Sequence, residues 1–407
     1  MTKIQLALRF LGAAIRCACR GRLAPFAVAL FLAIAGTAPV GAQISFYTTS
    51  GVDLSAYPAG GLIRMQPLFG APATASAYRI LYRSTGLRGE PIAVSGVVII
   101  PAGAAPAGGR PIVAWAHPTT GVEDQCAPSR ARVFFRSIQG LQDMLSRGYV
   151  VAATVYPGLG TPEIHPYLVG VSEARAVIDS VRAARAAPGA DAGASFAVWG
   201  HSQGGQAALF TGILAESYAP ELHLVGVAAA APATDLRQLM MKDIDTSGGR
   251  NITAMTLWSW SRIYGVPMDS VVMPQAIPAI NQLAGICIER FFDVFARRGP
   301  TQALARSFLR VNDFASQEPW RSLLKENSPG VLPRGLPVFL AQGTADNLVI
   351  PSITVDYRNV LCHAGSAVDL RMLPGVTHLF AARDSATAAI AWMADRFGGA
   401  PAPSNCE

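Results

Sequence analysis

Residues 196–206 read FAVWGHSQGGQ, and the rest of the chain is organised around this segment. The run 196–199 is short and apolar, which is typical of a buried strand, whereas the apolar spacing after Gln206 is that of a helix. Between the two, residues 200–204 have the form G-x-S-x-G. The order of strand, G-x-S-x-G and helix predicts a tight turn that raises a serine above a sheet.

Each residue of this turn has a predicted task. Gly200 and Gly204 lack the Cβ atoms that would collide with the adjacent strand and helix. Ser202 is the candidate nucleophile. The N–H of Gln203 lies at the start of the helix, where it can stabilise a developing oxyanion.

The composition favours a large folded protein. The chain has 407 residues, of which 51% are apolar and 14% are charged, so we expect a sizeable core and no extensive disorder. The formal charge is +7, but five cations and no acid lie in the first 22 residues, and subtracting these five leaves +2. A nucleic-acid partner is therefore not expected.

The N-terminus has the pattern of a secretory signal. The early cations precede an apolar run, 23–42, which ends with small residues at the positions that a signal peptidase reads. We predict that residues 1–42 are a signal peptide, cleaved after Ala42, and that the mature protein is periplasmic or secreted. The alternative is an uncleaved anchor, because the run is long enough to span a bilayer.

Four cysteines remain after this cleavage, an even number in an oxidising compartment. Of the possible pairings we favour Cys126 with Cys287 and Cys362 with Cys406. The first pair would tie an early loop to a distant insertion, and the second would fix the C-terminal tail. A metal site is the weaker alternative, since no C-x-x-C or His/Cys spacing supports it.

Periodicity predicts an α/β architecture with an antiparallel edge. Residues 44–116 predict an antiparallel meander of strands. After them strands alternate with helices, which indicates a mostly parallel sheet with helices on both faces. The predicted strands are 62–69, 77–84, 92–100, 111–117, 149–156, 196–199, 224–230, 337–342 and 368–373. The predicted helices of this layer are 134–147, 172–187, the helix after Gln206, 353–364 and 385–397.

This alternation stops between residues 235 and 333, where we find helical runs and no convincing strand of the sheet. We predict an inserted helical cap, so the core consists of residues 43–234 and 334–407. The tail, 398–407, is expected to be loosely held apart from Cys406. The apolar residues of the cap form either its own core or a surface facing the active site. They are Met240, Met241, Met255, Trp258, Trp260, Phe291, Phe292 and Phe295.

A serine nucleophile needs a base, and the base needs an acid that orients it. Of the six histidines, only His378 stands in the loop between the last strand and the last helix, where the base is expected. Asp346 is the favoured acid, because it lies in a polar turn immediately after strand 337–342. Asp235 is the alternative acid, although it also suits the N-cap of a helix. Glu326, in the cap, is a poorer choice.

The second oxyanion donor is expected in the loop after strand 111–117. Pro118 has no N–H, so the donor is Thr119 or Thr120, and we prefer the amide of Thr120. His201 and His165 are interpreted as structural residues rather than participants.

With these residues identified, the sequence resembles the secretory lipase family of α/β-hydrolases, the fungal lipase A type and its bacterial relatives. The matching segments are AYRILYRST (77–85), VAWAHPTTGVEDQCAPS (113–129), YPGLGTPEIHPYLVGVSEARAVIDSVRAA (156–184), GHSQGGQAALF (200–210), GTADNLVIP (343–351) and GVTHLF (375–380). The resemblance implies an α/β-hydrolase fold with a helical cap, a triad of Ser202, Asp346 and His378, and an oxyanion hole at Thr120 and Gln203. Pro118 departs from the His-Gly that many bacterial relatives carry there.

The sequence therefore predicts an exported lipase or esterase that hydrolyses acylglycerols or similar esters without a metal or organic cofactor. Its expected partners are an ester or lipid substrate and, transiently, a lipid interface. A secreted peptidase of the same fold is one alternative, because the triad residues alone do not define the leaving group. A non-catalytic binding protein that keeps the fold is the other, although the complete set of Ser, Asp and His argues against it.

Overall fold

The computed structural model describes residues 46–131, 133–288 and 291–406, and only the backbone of 291–294. The predicted signal peptide, residues 1–42, lies outside the described residues. Within the described ranges, no helix combines the length and the apolar character needed to cross a membrane.

A nine-stranded sheet forms the centre of the molecule, in the order β1-β2-β3-β5-β4-β6-β7-β8-β9. Strands β1, β2, β3 and β5 pair antiparallel, and every pair from β5 to β9 along the sheet is parallel. The predicted antiparallel meander beside a mostly parallel sheet is therefore confirmed. The strands are β1 (Leu62–Pro67), β2 (Ala75–Thr85), β3 (Pro91–Pro101), β4 (Arg110–Ala116), β5 (Val150–Thr154), β6 (Ala192–His201), β7 (His223–Ala230), β8 (Val338–Gly343) and β9 (Val368–Leu373).

Helices cover both faces of this sheet because alternate strand residues are apolar on each side. In β4, Ile112 contributes to one core and Val113 to the other. Helices α3, α4 and α10 pack on the first face, and α1, α2 and α11 on the second. The helices are α1 (Phe134–Ser137), α2 (Leu141–Ser146), α3 (Gly170–Ala186), α4 (Gln203–Tyr218), α5 (Leu236–Lys242), α6 (Ser247–Ile263), α7 (Ile277–Ala284), α8 (Phe291–Arg306), α9 (Trp320–Glu326), α10 (Pro351–His363) and α11 (Ala381–Phe397).

The prediction of one helix over 134–147 was wrong. The structure has two short helices there, α1 and α2, separated at Gly140, whose φ is 78°. A Cβ atom at this position would collide with the side chain of Ile390 in α11, so glycine allows both the left-handed turn and the close approach.

The turn from β6 to α4 brings backbone atoms unusually close together. A Cβ atom on Gly200 would overlap the carbonyl of Gly204, and one on Gly204 would overlap the carbonyl of Ala116 in β4. The two glycines therefore allow the strand, the turn and the helix to pack without any side chain between them.

Residues 235–333 contain α5 to α9 and, among the residues described, no strand of the sheet. A single isolated bridge joins Val272 and Leu309. Of the apolar residues singled out in the sequence, Phe291 and Phe292 have no described side chain and Phe295 is 59% exposed. The segment has a core of its own, which also packs on residues of the 165–170 loop. That core includes Met240, Met255, Trp258 and Trp260.

Two disulfides join distant parts of the chain, Cys126 to Cys287 and Cys362 to Cys406. The predicted pairing is confirmed. The expectation of a loosely held tail was wrong, because Asn405 extends the edge of β9. Its N–H donates to the carbonyl of Val368 at 2.9 Å, and its side chain exchanges two hydrogen bonds with the backbone of Leu370.

We predict that Gly200→Ala and Gly204→Ala each destabilise the protein by about 3 kcal/mol or more, because the added methyl group meets backbone atoms that cannot move independently. Urea unfolding followed by circular dichroism measures this loss. Gly330→Ala is the matched control, since a Cβ atom there meets nothing within 4 Å, and it should change the stability by less than about 0.5 kcal/mol. Equal unfolding midpoints for Gly204→Ala and Gly330→Ala would contradict this account of the turn.

Candidate active site

Ser202 occupies the turn between β6 and α4 in a conformation that residues other than glycine rarely adopt. Its φ is 58° and its ψ is −117°. Hydrogen bonds hold this strained backbone: the Ser202 N–H donates to the carbonyl of Ala230 at 2.9 Å, and the Ser202 carbonyl accepts from the N–H of Gln206 at 3.1 Å. The turn thus presents the serine at the carboxyl ends of the parallel strands.

His378 reaches the serine from the loop after β9, where it begins the short 3-10 helix His378–Phe380. Its Nε2 lies 2.9 Å from Oγ of Ser202, and its Nδ1 lies 2.8 Å from Oδ2 of Asp346. A carboxylate only accepts hydrogen bonds, so the proton of a neutral His378 is on Nδ1. The lone pair of Nε2 then faces the serine hydroxyl.

Asp346 follows β8, and its carboxylate receives four hydrogen bonds. The side chains of His378 and Gln342 donate to Oδ2, at 2.8 and 3.1 Å, and the N–H groups of Leu348 and Val349 donate to Oδ1, each at 2.9 Å. Burial by itself would raise the pKa of Asp346, but His378 and the two N–H groups outweigh it and hold this pKa below its ordinary value. The carboxylate therefore stays ionised at neutral pH.

Gln342 supports this carboxylate, a role that was not predicted from the sequence. The side chain is fully buried near the end of β8. Its oxygen accepts from the hydroxyl of Thr354 at 2.6 Å, and its amide donates to the carbonyl of Val349 at 2.9 Å as well as to Asp346. The only signal in the sequence is a glutamine that closes an otherwise apolar strand.

The two alternative acids, Asp235 and Glu326, lie elsewhere and do not bond to His378 among the described contacts. The carboxylate of Asp235 caps α5, accepting from the backbone N–H of Gln238 and from its side-chain amide, each at 2.8 Å. Glu326 is exposed at the end of α9. Among the described side-chain contacts, neither carboxylate bonds to His378, so Asp346 is the acid that the structure brings to this histidine.

Three further histidines are buried around the site, and burial lowers their pKa values, to about 4 for His117 and to about 3 for His165 and His201. The Nε2–H of His201 donates to the backbone carbonyl of His378 at 3.0 Å and so fixes the loop that carries it. All three are neutral at physiological pH. In the described part of the chain, no group of three or more His, Cys, Asp or Glu residues is arranged to hold a metal ion.

The loop 117–121 and the start of α4 lie on the other side of the serine. Among the residues described, the backbone N–H groups of Thr120 and Gln203 have no acceptor. The carbonyl of Thr120 accepts from the N–H of Ile288 at 2.8 Å, beside the Cys126–Cys287 disulfide. It is Thr119, however, that lines the cavity at Ser202.

This cavity is small. It measures about 10 Å³, which is room for no more than one water molecule. Tyr167 and Leu168 line it, as do Leu239 and Ile252, from α5 and α6. Two side chains of the helical segment 235–333 thus lie beside the serine, which is itself partly exposed.

Comparison with known proteins agrees with this architecture. The secretory lipase profile matches residues 137–405. Over 176 residues the chain is 29% identical to a probable inactive lipase of Mycobacterium tuberculosis, and this alignment covers 40% of this chain and 39% of the relative. Over 363 residues it is 24% identical to Lipase A of Arthroderma benhamiae, covering 82% of this chain and 73% of the relative.

A solved structure of Candida antarctica lipase A in its closed state has the same fold. It matches with a TM-score of 0.71 at 19% sequence identity, and the alignment covers 89% of each chain. The predicted α/β-hydrolase fold is thereby confirmed, and the family profile covers well over half of the sequence. The chain belongs to the secretory lipase family.

Proposed function

We propose that this protein is an exported serine carboxylic ester hydrolase, a lipase or esterase that acts on acylglycerols or similar esters. The observation that carries the proposal is the series of hydrogen bonds from Asp346 through His378 to Ser202, at 2.8 and 2.9 Å. Membership of the secretory lipase family supports the same class of reaction. This chemistry requires neither a metal nor an organic cofactor.

The reaction has two halves. Nε2 of His378 takes the proton of Ser202 as Oγ attacks the ester carbonyl carbon, and the ionised Asp346 stabilises the imidazolium that forms. His378 then donates this proton to the leaving alcohol, so the C–O bond breaks and an acyl-enzyme remains. In the second half His378 takes a proton from water, whose oxygen attacks the acyl carbon, and Ser202 leaves with the proton restored.

The negative oxygen of both tetrahedral intermediates needs hydrogen-bond donors. The Gln203 N–H is the first proposed donor, since it opens α4 and has no acceptor among the described residues. The second is the amide of Thr120, and Thr119, which lines the cavity, is the alternative. A donor of this kind contributes roughly 10²- to 10³-fold to kcat.

Residues 235–333 are the proposed lid. The cavity beside Ser202, about 10 Å³, cannot hold an acyl chain until Leu239 and Ile252 move away. We therefore expect the lid to open before substrate binds.

A lipid surface is the proposed trigger of that opening. Leu379 and Phe380, which directly follow His378, are 76% and 44% exposed. The guanidinium of Arg383 lies 4.1 Å from the centre of the Phe380 ring. The charge of Arg383 is paired with Asp384 at 2.6 Å, so the proposal rests on the exposed apolar side chains, which suit transient contact with acyl chains.

Export is proposed from two features. Residues 1–42 have the pattern of a cleaved signal peptide, and all four cysteines that follow them are paired in disulfides. Structural disulfides persist in oxidising compartments such as the periplasm or the exterior of the cell.

We predict that Ser202→Ala and His378→Ala lower kcat for an ester substrate by about 10⁴-fold or more, and Asp346→Asn by about 10³- to 10⁴-fold. The losses arise because the nucleophile, its base or the orientation of the base is removed. Steady-state hydrolysis of p-nitrophenyl butyrate measures them.

Asp235→Asn is the matched control, because it removes the alternative acid from the cap of α5. Its kcat should stay within about threefold of the wild type. Ester hydrolysis that survives Ser202→Ala unchanged would refute the mechanism, because the observed rate would then not arise from this site, and a non-catalytic binding protein that keeps the fold would be favoured.

A substrate profile tests the proposed reaction class. We expect hydrolysis of p-nitrophenyl esters and triacylglycerols, with a rate that jumps once the substrate aggregates, because the lid opens at a lipid surface. The assay compares short and long acyl esters, below and above micelle formation, with aminoacyl amides. Activity confined to the amides would instead identify a peptidase.

A further inference from the structure

A buried polar cluster lies beneath the turn that carries Ser202, and the proposed mechanism does not use it. The side-chain amide of Gln203 donates to Oε1 of Glu173 at 2.7 Å and to Nε2 of His165 at 3.2 Å. Nδ1 of His165 donates to the carbonyl of Pro157 at 2.9 Å, which leaves Nε2 as an acceptor. The side chain of Gln203 is thus held from two directions.

Glu173 is the centre of this cluster. It lies in the first turn of α3, is 0% exposed, and accepts the N–H of Leu168 at 3.0 Å on the same oxygen that binds Gln203. Among the described residues, its second oxygen, Oε2, has no hydrogen-bond partner, and no Lys or Arg forms an ion pair with the carboxyl group. An ionised carboxylate is costly in such a place.

The contacts of Glu173 connect it to both proposed oxyanion donors. On one side is Gln203, whose backbone N–H is the first proposed donor. On the other, Leu168 has a φ of 54°, which is rare for a leucine, and its bonded N–H helps to hold it there. The preceding residue, Tyr167, has its hydroxyl 2.9 Å from Oγ1 of Thr119, in the loop of the second donor.

We propose that Glu173 is a positioning residue for the oxyanion hole, because it fixes Gln203 directly and the Thr119 loop through Leu168 and Tyr167. This inference rests on the proposed function. Glu173 itself does not touch the reacting atoms.

The protonation state of Glu173 makes this role observable as a dependence of kcat on pH. Burial raises the pKa of Glu173 to about 8, although the bonds from Gln203 and Leu168 favour the charged form. The other titratable groups facing it are Tyr156, Tyr167 and His165, and none of these carries a positive charge at neutral pH. Glu173 is therefore a neutral acid at pH 7.

Ionisation of Glu173 places a negative charge behind the Gln203 amide. That charge opposes the negative oxygen of the transition state, so kcat should fall as the pH rises through about 8. The other carboxyl group near the site with a raised pKa, Asp243, titrates at about 6, because of burial and the nearby Asp346. Glu173 and Asp243 thus titrate in different pH ranges, so the decline in kcat above neutral pH can be assigned to Glu173.

The experiment compares Glu173→Gln and Glu173→Ala with the wild type, using p-nitrophenyl butyrate across the pH range and subtracting the rate of Ser202→Ala. Glutamine mimics the neutral acid, so Glu173→Gln should keep kcat within about threefold at pH 7 and lose the alkaline decline. Glu173→Ala should lower kcat by roughly 10- to 100-fold while KM changes by less than about threefold.

Asp179→Asn is the matched control. Asp179 is also fully buried on α3, but it bonds to Ser84, Arg182 and Tyr218, away from the serine. Its substitution should lower stability and leave the alkaline decline in place. Infrared spectroscopy adds a readout independent of activity: a protonated carboxyl band that is present at pH 7, disappears with a midpoint near pH 8, and is absent from Glu173→Gln.

Different results would overturn the proposed function and the proposed role of Glu173. Ester hydrolysis that persists in Ser202→Ala would overturn the proposed function. If Ser202→Ala is inactive, an alkaline decline that is unchanged in Glu173→Gln would overturn the role of Glu173, as would a wild-type spectrum without the carboxyl band. Should Glu173→Ala fail to fold, the pH profile of Glu173→Gln and the spectrum decide the question alone.

Discussion

The hydrogen bond between Nε2 of His378 and Oγ of Ser202 joins residues 176 positions apart in the chain. It forms because β6, β8 and β9 run parallel, so the loops that follow them meet at one edge of the sheet. The register of these strands is fixed by side chains buried on both faces, and a slip of one residue would exchange the faces. Gly200 and Gly204 are also required, because a Cβ atom at either position would overlap the backbone where β6 turns into α4.

Two buried carboxyl groups beside the serine have opposite pKa shifts, because Asp346 interacts with His378 and with more hydrogen-bond donors, whereas Glu173 is more completely buried and has no partner like His378 among the described residues. Asp346 receives four hydrogen bonds and has a lowered pKa, which keeps it charged beside His378. Glu173 receives two, both on one oxygen, and burial raises its pKa to about 8. The site therefore has a fixed negative charge on the side of the proposed base and none on the side of the proposed oxyanion position, which suits the charges that would develop during the proposed ester hydrolysis.

Much of the fold and three of the candidate site residues could be predicted because their signals are local. The apolar runs mark the strands, and Ser202, Asp346 and His378 each lie in a short loop immediately after one. The break at Gly140 could not be predicted, because it depends on Ile390, which is distant in sequence. The same holds for Gln342 and Glu173: their polar side chains matter only because residues from other elements bury them and supply their hydrogen bonds. The small size of the cavity beside Ser202 likewise depends on Leu239 and Ile252, from α5 and α6, and no motif encodes it.

Covalent labelling tests whether His378 activates Ser202 as a nucleophile. A p-nitrophenyl alkylphosphonate reacts with an activated serine and stops at a stable analogue of the tetrahedral intermediate. Peptide mapping by mass spectrometry of the labelled protein should find one adduct, on Ser202, and His378→Ala should slow its formation by about 10³-fold or more. An adduct on another residue, or labelling of Ser202 at the same rate in His378→Ala, would contradict the account.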